Sequence, residues 1–164
     1  MNVRQERTGW RDKKLSERHR EWGYDCPMVD LDDIYSDSGC PMGRDMWTCL
    51  EYDRGHPKAL VEYKHEYAVK AFEEIINSNR LHPNQRSTKE LADNSRIPYL
   101  ITLYADNLTW YRVHPMNDYA RQYIGETTKM SELEYVTLLY RMRGRIIPND
   151  ILKKLKNTTQ THFR

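Results

Sequence analysis

The segment KALVEYKH, residues 58–65, constrains the fold more than any other part of the sequence. Its apolar run, Ala59–Val61, predicts a strand buried in a sheet, and Glu62 and Lys64 follow two positions apart. Because alternate residues of a strand share a face, this strand would present two opposite charges on one side of the sheet. A preceding strand, WTCLEYD at residues 47–53, would join it through the turn residues RGHP to form a hairpin.

The remaining elements follow from hydrophobic periodicity and from turn residues. These patterns predict helices over residues 8–22, 67–76, 84–94 and 131–144, and strands over residues 29–32, 97–104 and 109–114. Capping boxes at Ser87–Glu90 and Ser131–Glu134 indicate two helix starts, and the chain is expected to fray from Lys153 onward. The strands would form one mixed central sheet flanked by helices, an α/β (α+β) fold in which the helix at 84–94 is a crossover.

Charge and composition narrow the classes of protein that the chain can belong to. A length of 164 residues favours one domain, 1–164, and no apolar stretch is long enough to predict a membrane span. Three cysteines without a disulfide framework are typical of reduced thiols in a cytoplasmic protein. The net charge is only +2, but basic clusters near both ends surround acids concentrated in residues 25–53, which suits a phosphate backbone passing over a metal site.

The acidic centre carries the pattern with the most chemistry. Asp30 and Asp32 alternate on a predicted strand, where aspartate is disfavoured, and Glu51 and Glu62 lie on the following hairpin. Converging carboxylates repel one another, and Mg²⁺ or Mn²⁺ bound by their oxygens would relieve that repulsion. Lys64 would then orient water or stabilise charge on a phosphoryl group. The alternatives are a solvent-facing edge strand for the aspartates and a surface ion pair between Glu62 and Lys64.

The helix, the acidic strand and the Glu-x-Lys strand together resemble the PD-(D/E)XK nuclease superfamily over about residues 10–115. The closest similarity is to small bacteriophage-encoded nucleases and Holliday-junction resolvases, and a C-terminal helical part would occupy about residues 116–155. The resemblance implies an αβββαβ core resembling that of restriction endonucleases, with the Glu-x-Lys pair matched by Glu62 and Lys64. It implies that the metal-binding aspartate is Asp32, with Asp30 or Glu51 as alternatives, and that the 36–46 segment is an insertion. Further matches are an additional acid on the first helix, Glu17 with Glu6 and Asp12 as alternatives, and a polar residue on the crossover helix, Gln85.

The resemblance also implies a function and partners. The chain would be a DNA endonuclease that depends on magnesium or manganese. It would be phage-encoded and active in the host cytoplasm, and would serve recombination, replication or processing of duplex, branched or single-stranded DNA. Resolvase-like members suggest a homodimer. Basic residues of the first helix would neutralise flanking phosphates: Arg11, Lys14, Arg18 and Arg20. Two alternatives stay open, a non-catalytic nucleic-acid-binding or inhibitor protein on the same scaffold, and an RNase. His19, on the apolar stripe of that helix, is expected to be a hydrogen-bonded structural residue.

Overall fold

The computed structural model describes residues 10–23, 29–30, 46–78 and 81–162, and these build one mixed sheet flanked by helices. The first half of the chain supplies helix α1 (Trp10–Glu21), a three-strand antiparallel meander and two helices. The strands are β1 (Val29–Asp30), β2 (Met46–Asp53) and β3 (His56–His65), and a 3₁₀ turn (Glu66–Ala68) leads into α2 (Val69–Asn77) and then α3 (Pro83–Ser95).

The second half of the chain extends the same sheet. Strand β4 (Tyr99–Tyr104) pairs parallel with β3, and β5 (Trp110–Pro115) and β6 (Thr128–Ser131) follow in antiparallel register. Three helices complete this half: α4 (Asp118–Arg121), α5 (Glu132–Met142) and α6 (Asn149–His162). Among the described residues the sheet order is β1-β2-β3-β4-β5-β6. The predicted fold class, a mixed central sheet flanked by helices with a crossover between β3 and β4, is confirmed.

Alternation along β3 divides the core into two layers, one on each side of the sheet. Ala59, Val61 and Tyr63 pack with Leu15 of α1 and with residues of α5 and α6, whereas Leu60 packs with residues of α2, α3 and β4. We call these the α1 side and the α3 side of the sheet. Glu62 and Lys64 have the same parity as Leu60, so both lie on the α3 side.

The helix predicted over 84–94 is α3, but two predictions about helix ends were wrong. The capping box at Ser87–Glu90 does not start α3, because Pro83 suits the first helical position and the Gln85 side chain accepts a hydrogen bond from the His82 N–H (3.1 Å). The chain does not fray from Lys153, since α6 continues to His162 and buries Ile151 and Leu155 in the α1-side core. The short elements α4 and β6 were not predicted.

The start of α5 was predicted correctly. Ser131 and Glu134 form a reciprocal capping box, in which the Glu134 N–H bonds Ser131 Oγ and the Ser131 N–H bonds Glu134 Oε1, both at 3.2 Å. Gly144 follows the helix with a φ of +72°, a left-handed conformation that glycine adopts without strain. Of the predicted 36–46 insertion only Met46 belongs to the described residues, and it is the first residue of β2.

Candidate active site

Glu62 and Lys64 form a buried pair of opposite charges on the α3 side of β3. They are only 2% and 6% exposed, and their Oε2 and Nζ atoms lie 3.9 Å apart, too far for a hydrogen bond. Glu62 Oε2 is buried and has no hydrogen-bond partner among the described residues. A carboxylate oxygen in this state is unfavourable unless a cation or a donor reaches it. The surface ion pair considered as an alternative is excluded by the burial of both groups.

The start of α3 closes over this pair. Gln85 is buried and its side chain hydrogen-bonds the Glu62 carboxylate. Because the Gln85 oxygen already accepts the His82 N–H, its amide NH₂ is the group that faces Glu62. Burial raises the pKa of Glu62 above its usual 4.5, and the charge of Lys64, the bond from Gln85 and the charge of His82 offset this only in part.

Glu51 lies on the opposite side of the sheet and is part of a different cluster. Its two carboxylate oxygens are held by His19 Nε2 (2.8 Å) and Arg143 Nη2 (2.7 Å), and all three side chains are buried. Burial alone would raise the pKa of Glu51, but the charges and hydrogen bonds of His19 and Arg143 bring it below its usual value. The structure therefore does not bring Glu51 together with Glu62, and it confirms the structural assignment of His19.

The predicted aspartates are described only in part. Asp32 lies outside the described residues. Asp30 pairs with Cys49 in the backbone register of β1 and β2, while the β2 residue opposite Glu62 is Thr48. Within residues 10–23, 29–30, 46–78 and 81–162, no three His, Cys, Asp or Glu side chains form a group that could hold a metal ion. Of the predicted ligands, the structure thus places Glu62 on the α3 side and Glu51 on the α1 side. The register of Asp30 with Cys49, a residue of the α1-side core, puts Asp30 on the α1 side as well, so its prediction as a ligand beside Glu62 was wrong.

The predicted DNA-binding residues of α1 also lie on the α1 side. Arg18 forms a two-point ion pair with Glu132 (Nε–Oε1 and Nη2–Oε2, both 2.9 Å), so its guanidinium ties α1 to α5. The Lys14 ammonium donates to the Asp106 carbonyl at 2.7 Å. Arg20 and Glu17 are exposed, and the Arg11 side chain is outside the described part of the chain. The structure brings none of these described side chains to the Glu62–Lys64 pair.

Sequence reasoning found Glu62, Lys64 and Gln85 but missed His82. The reason is that HPN was interpreted as a break, so His82 was left outside the helix predicted over 84–94. The usable signal was Pro83 followed two residues later by Gln85, a pattern typical of a first helical turn whose third residue reaches back to the preceding N–H.

Chemically, the α3 side combines a carboxylate with one oxygen that takes no hydrogen bond within the described residues, a buried ammonium, an amide and an imidazole near the start of a helix. The carboxylate suits a hard cation, and the ammonium and the helix start suit an anion. Comparison with protein-family models, with curated proteins and with solved structures finds no match for this chain. Within the described residues no helix is long and apolar enough to cross a membrane.

Proposed function

We propose that this protein is a metal-dependent nuclease that hydrolyses phosphodiester bonds in DNA, in the manner of the PD-(D/E)XK superfamily. The observation that carries the proposal is the buried Glu62–Lys64 pair, with Glu62 Oε2 lacking a hydrogen-bond partner among the described residues. A buried ion pair kept only for stability would be expected to have good hydrogen-bond geometry, because the cost of desolvating both charges is otherwise not recovered. The 3.9 Å separation leaves both groups available for other partners.

The unpartnered oxygen of Glu62 suits a magnesium or manganese ion, and we propose Asp32 as the second carboxylate. Glu51 and Asp30 are not included, because His19 and Arg143 hold Glu51 on the other side of the sheet and the register pairs Asp30 with Cys49 of the α1-side core. When bound, such an ion supplies positive charge that polarises water and phosphate oxygens. Gln85 would hold the Glu62 carboxylate in a fixed orientation for the ion.

Lys64 would act on the charge that develops at the phosphate. Its ammonium is placed beside Glu62 by strand alternation and is nearly buried, where a fixed positive charge acts more strongly than it does in water. The ammonium would donate hydrogen bonds to a phosphoryl oxygen or to the attacking water. Burial among β3, β4 and α3 also limits the entry of bulk water.

The order of elements supports the same proposal. A helix, three antiparallel strands, crossover helices and a strand parallel to β3 are the arrangement that the resemblance predicts, with the Glu-x-Lys pair on the third strand. Fold alone does not determine the substrate, so DNA, a phage origin and a role in recombination or replication belong to the proposal through the resemblance.

A cleavage assay on a panel of DNA structures tests the proposal. Labelled duplex, junction, flap and single-stranded DNA, with single-stranded RNA alongside, would be incubated with Mg²⁺, Mn²⁺ or EDTA. We expect metal-dependent cleavage of at least one DNA, lost in Asp32→Asn and in Glu62→Ala with DNA binding retained. Glu17→Gln is the matched control, because this exposed acid of α1 lies on the other side of the sheet.

The outcomes separate the alternatives. Full cleavage by Glu62→Ala would contradict the assignment of the site, and cleavage of RNA alone would identify an RNase. DNA binding without metal-dependent cleavage of any substrate would favour the non-catalytic scaffold. If Asp32→Asn keeps full activity, the second carboxylate lies elsewhere, and Asp45→Asn is the next variant to measure, since Asp45 directly precedes β2 in sequence.

A further inference from the structure

The first turn of α3 has the features of an anion site beside the Glu62–Lys64 pair. An α-helix leaves its first N–H groups without an intrahelical acceptor, and in α3 the affected donors are those of Asn84 and Gln85, since Pro83 has none. Arg86 N–H already bonds the His82 carbonyl at 3.0 Å, which fixes His82 as the residue that caps the helix. The helix has 13 residues, long enough for its dipole to add positive potential at this end.

A second observation links this helix start to a ligand. Glu62 is buried against the first turn, where Gln85 bonds its carboxylate, yet its Oε2 atom takes no hydrogen bond within the described part of the chain. Glu62 Oε2 is therefore left without a donor, although the carboxylate lies beside a helix start whose first N–H groups have no intrahelical acceptor. A cation on Glu62 together with an anion on the N–H groups would satisfy both, and a metal ion with a phosphate oxygen in its coordination shell is such a pair.

We propose that the first turn of α3, with His82 before it, binds one phosphate group of the nucleic-acid backbone beside Glu62 and Lys64. The N–H groups of Asn84 and Gln85 donate to the phosphate oxygens, and the exposed His82 side chain closes over them. This inference rests on the proposed function, because it assigns the position of the substrate at that same site. His82 is thus a substrate-binding residue that sequence reasoning did not find.

Titration with inorganic phosphate tests this without requiring catalysis. Amide ¹H–¹⁵N spectra would be recorded in EDTA at constant ionic strength, as phosphate replaces chloride. We expect saturable shifts at Asn84 and Gln85, and tighter binding in Glu62→Gln because a neighbouring negative charge is removed. In His82→Ala the affinity should fall about tenfold or more, the loss expected for one hydrogen bond to a charged group. His56→Ala, an exposed histidine at the start of β3, should bind as the wild type does.

The start of α5 provides an internal control in the same spectra. Its capping box already occupies the Glu134 N–H, so the amide of Glu134 should not respond to phosphate. Equal shifts at both helix starts, no shift at Asn84 and Gln85, or unchanged affinity in His82→Ala would overturn the inference. Phosphate binding without any DNA cleavage would support the phosphate subsite and count against the nuclease function. DNA cleavage without phosphate binding at α3 would support the nuclease function and count against the phosphate subsite.

Discussion

At the scale of single residues, substitution of Lys64 distinguishes a catalytic role of the Glu62–Lys64 pair from a structural one. If it stabilises charge in the transition state, Lys64→Met should lower single-turnover cleavage at saturating Mg²⁺ by about 100-fold or more, as for lost transition-state donors elsewhere. Lys64→Arg should also lose most activity, because a planar guanidinium does not replace a compact ammonium at short range. A thermal melt of each variant serves as the folding control, and near-normal cleavage by Lys64→Met would leave only a structural role.

The buried Glu62 carboxylate should make the protein less stable at neutral pH. Burial raises its pKa above 4.5, so the folded state binds the proton more tightly than the unfolded state. Stability from this group is therefore largest below pH 4.5 and is lost as the pH rises through the folded-state pKa. We expect Glu62→Gln to raise Tm at pH 8 in EDTA by a few degrees, since 1 kcal/mol corresponds to about 2–4 °C in a chain of this size.

Magnesium separates this prediction from a generic effect of the substitution. Mg²⁺ should raise the Tm of the wild type, because an ion that binds only the folded state stabilises it, and should leave the Tm of Glu62→Gln unchanged. Glu90→Gln, an exposed acid on α3, is the matched control and should melt as the wild type does with and without Mg²⁺. A lower Tm for Glu62→Gln in EDTA would mean that the carboxylate is a stabilising partner of Lys64.

Residue alternation explains which part of the site the sequence could predict. KALVEYKH needs only a period of two to place Glu62 and Lys64 together, and the structure agrees. The side of the sheet on which Glu51 lies depends on the register between β2 and β3, where Glu51 is opposite Ala59, and no local pattern predicts that register. His19 and Arg143 are 32 and 92 residues from Glu51, so their convergence on it could not be inferred from spacing.

At the scale of elements, the cluster of His19, Glu51 and Arg143 connects three of them. It joins α1 and β2 to the residue that follows α5, and Arg145 extends the connection through a 2.7 Å bond to Asp53. We expect Arg143→Met to lower the free energy of unfolding by about 3 kcal/mol or more, because it leaves a buried carboxylate with one cationic partner fewer. Adding Glu51→Gln should recover part of that loss, which a double-mutant cycle in urea measures.

The same cluster should show the opposite pH dependence from Glu62. The pKa of Glu51 lies below 4.5 in the folded state, so its stabilising contribution is present above pH 4.5 and is lost as the pH falls through the folded-state pKa. Urea midpoints measured from pH 7 to pH 3 should therefore decline less steeply in Glu51→Gln than in the wild type. Asp118→Asn is the control, since its exposed pair with Arg121 should contribute little. If the urea midpoint of Glu51→Gln declines between pH 7 and pH 3 as steeply as that of the wild type, the stabilising pairing of Glu51 with His19 and Arg143 is contradicted.

Helix boundaries show where a local motif is and is not sufficient. The Ser131–Glu134 box starts α5 because an apolar stripe follows it and no earlier start competes. The same motif at Ser87–Glu90 lies inside α3, because Pro83 and Gln85 provide an earlier first turn. A capping box therefore predicts a helix start only when the residues before it do not themselves suit a first turn. In α3 the earlier start makes His82, which the sequence pattern placed in a loop, the residue that caps the helix.

At the scale of the whole molecule, the buried charged side chains differ between the two sides of the sheet. On the α1 side the buried charges are paired across elements, as in Arg18–Glu132 and Glu51–Arg143, and these pairs hold the layers together. On the α3 side Glu62 and Lys64 are buried without close pairing, and His82 and Arg86 are exposed one helical turn apart at the start of α3. If the protein is the proposed nuclease, this division favours the α3 side as the surface that nucleic acid would approach.

The salt dependence of DNA binding tests which side the nucleic acid contacts. Each lost phosphate contact lowers the slope of log K against log salt by about 0.9 for duplex or 0.7 for single-stranded DNA. We therefore expect Arg86→Gln to flatten the slope by about that amount, and Arg20→Gln, the exposed arginine of α1, to leave it unchanged. Both substitutions remove one positive charge from an exposed helical position, so a general effect of net charge would appear equally in both. A smaller slope in Arg20→Gln alone would place the DNA on the α1 side, along the basic residues that the sequence first suggested. Equal slopes in the two variants and the wild type would mean that neither helix contacts the backbone.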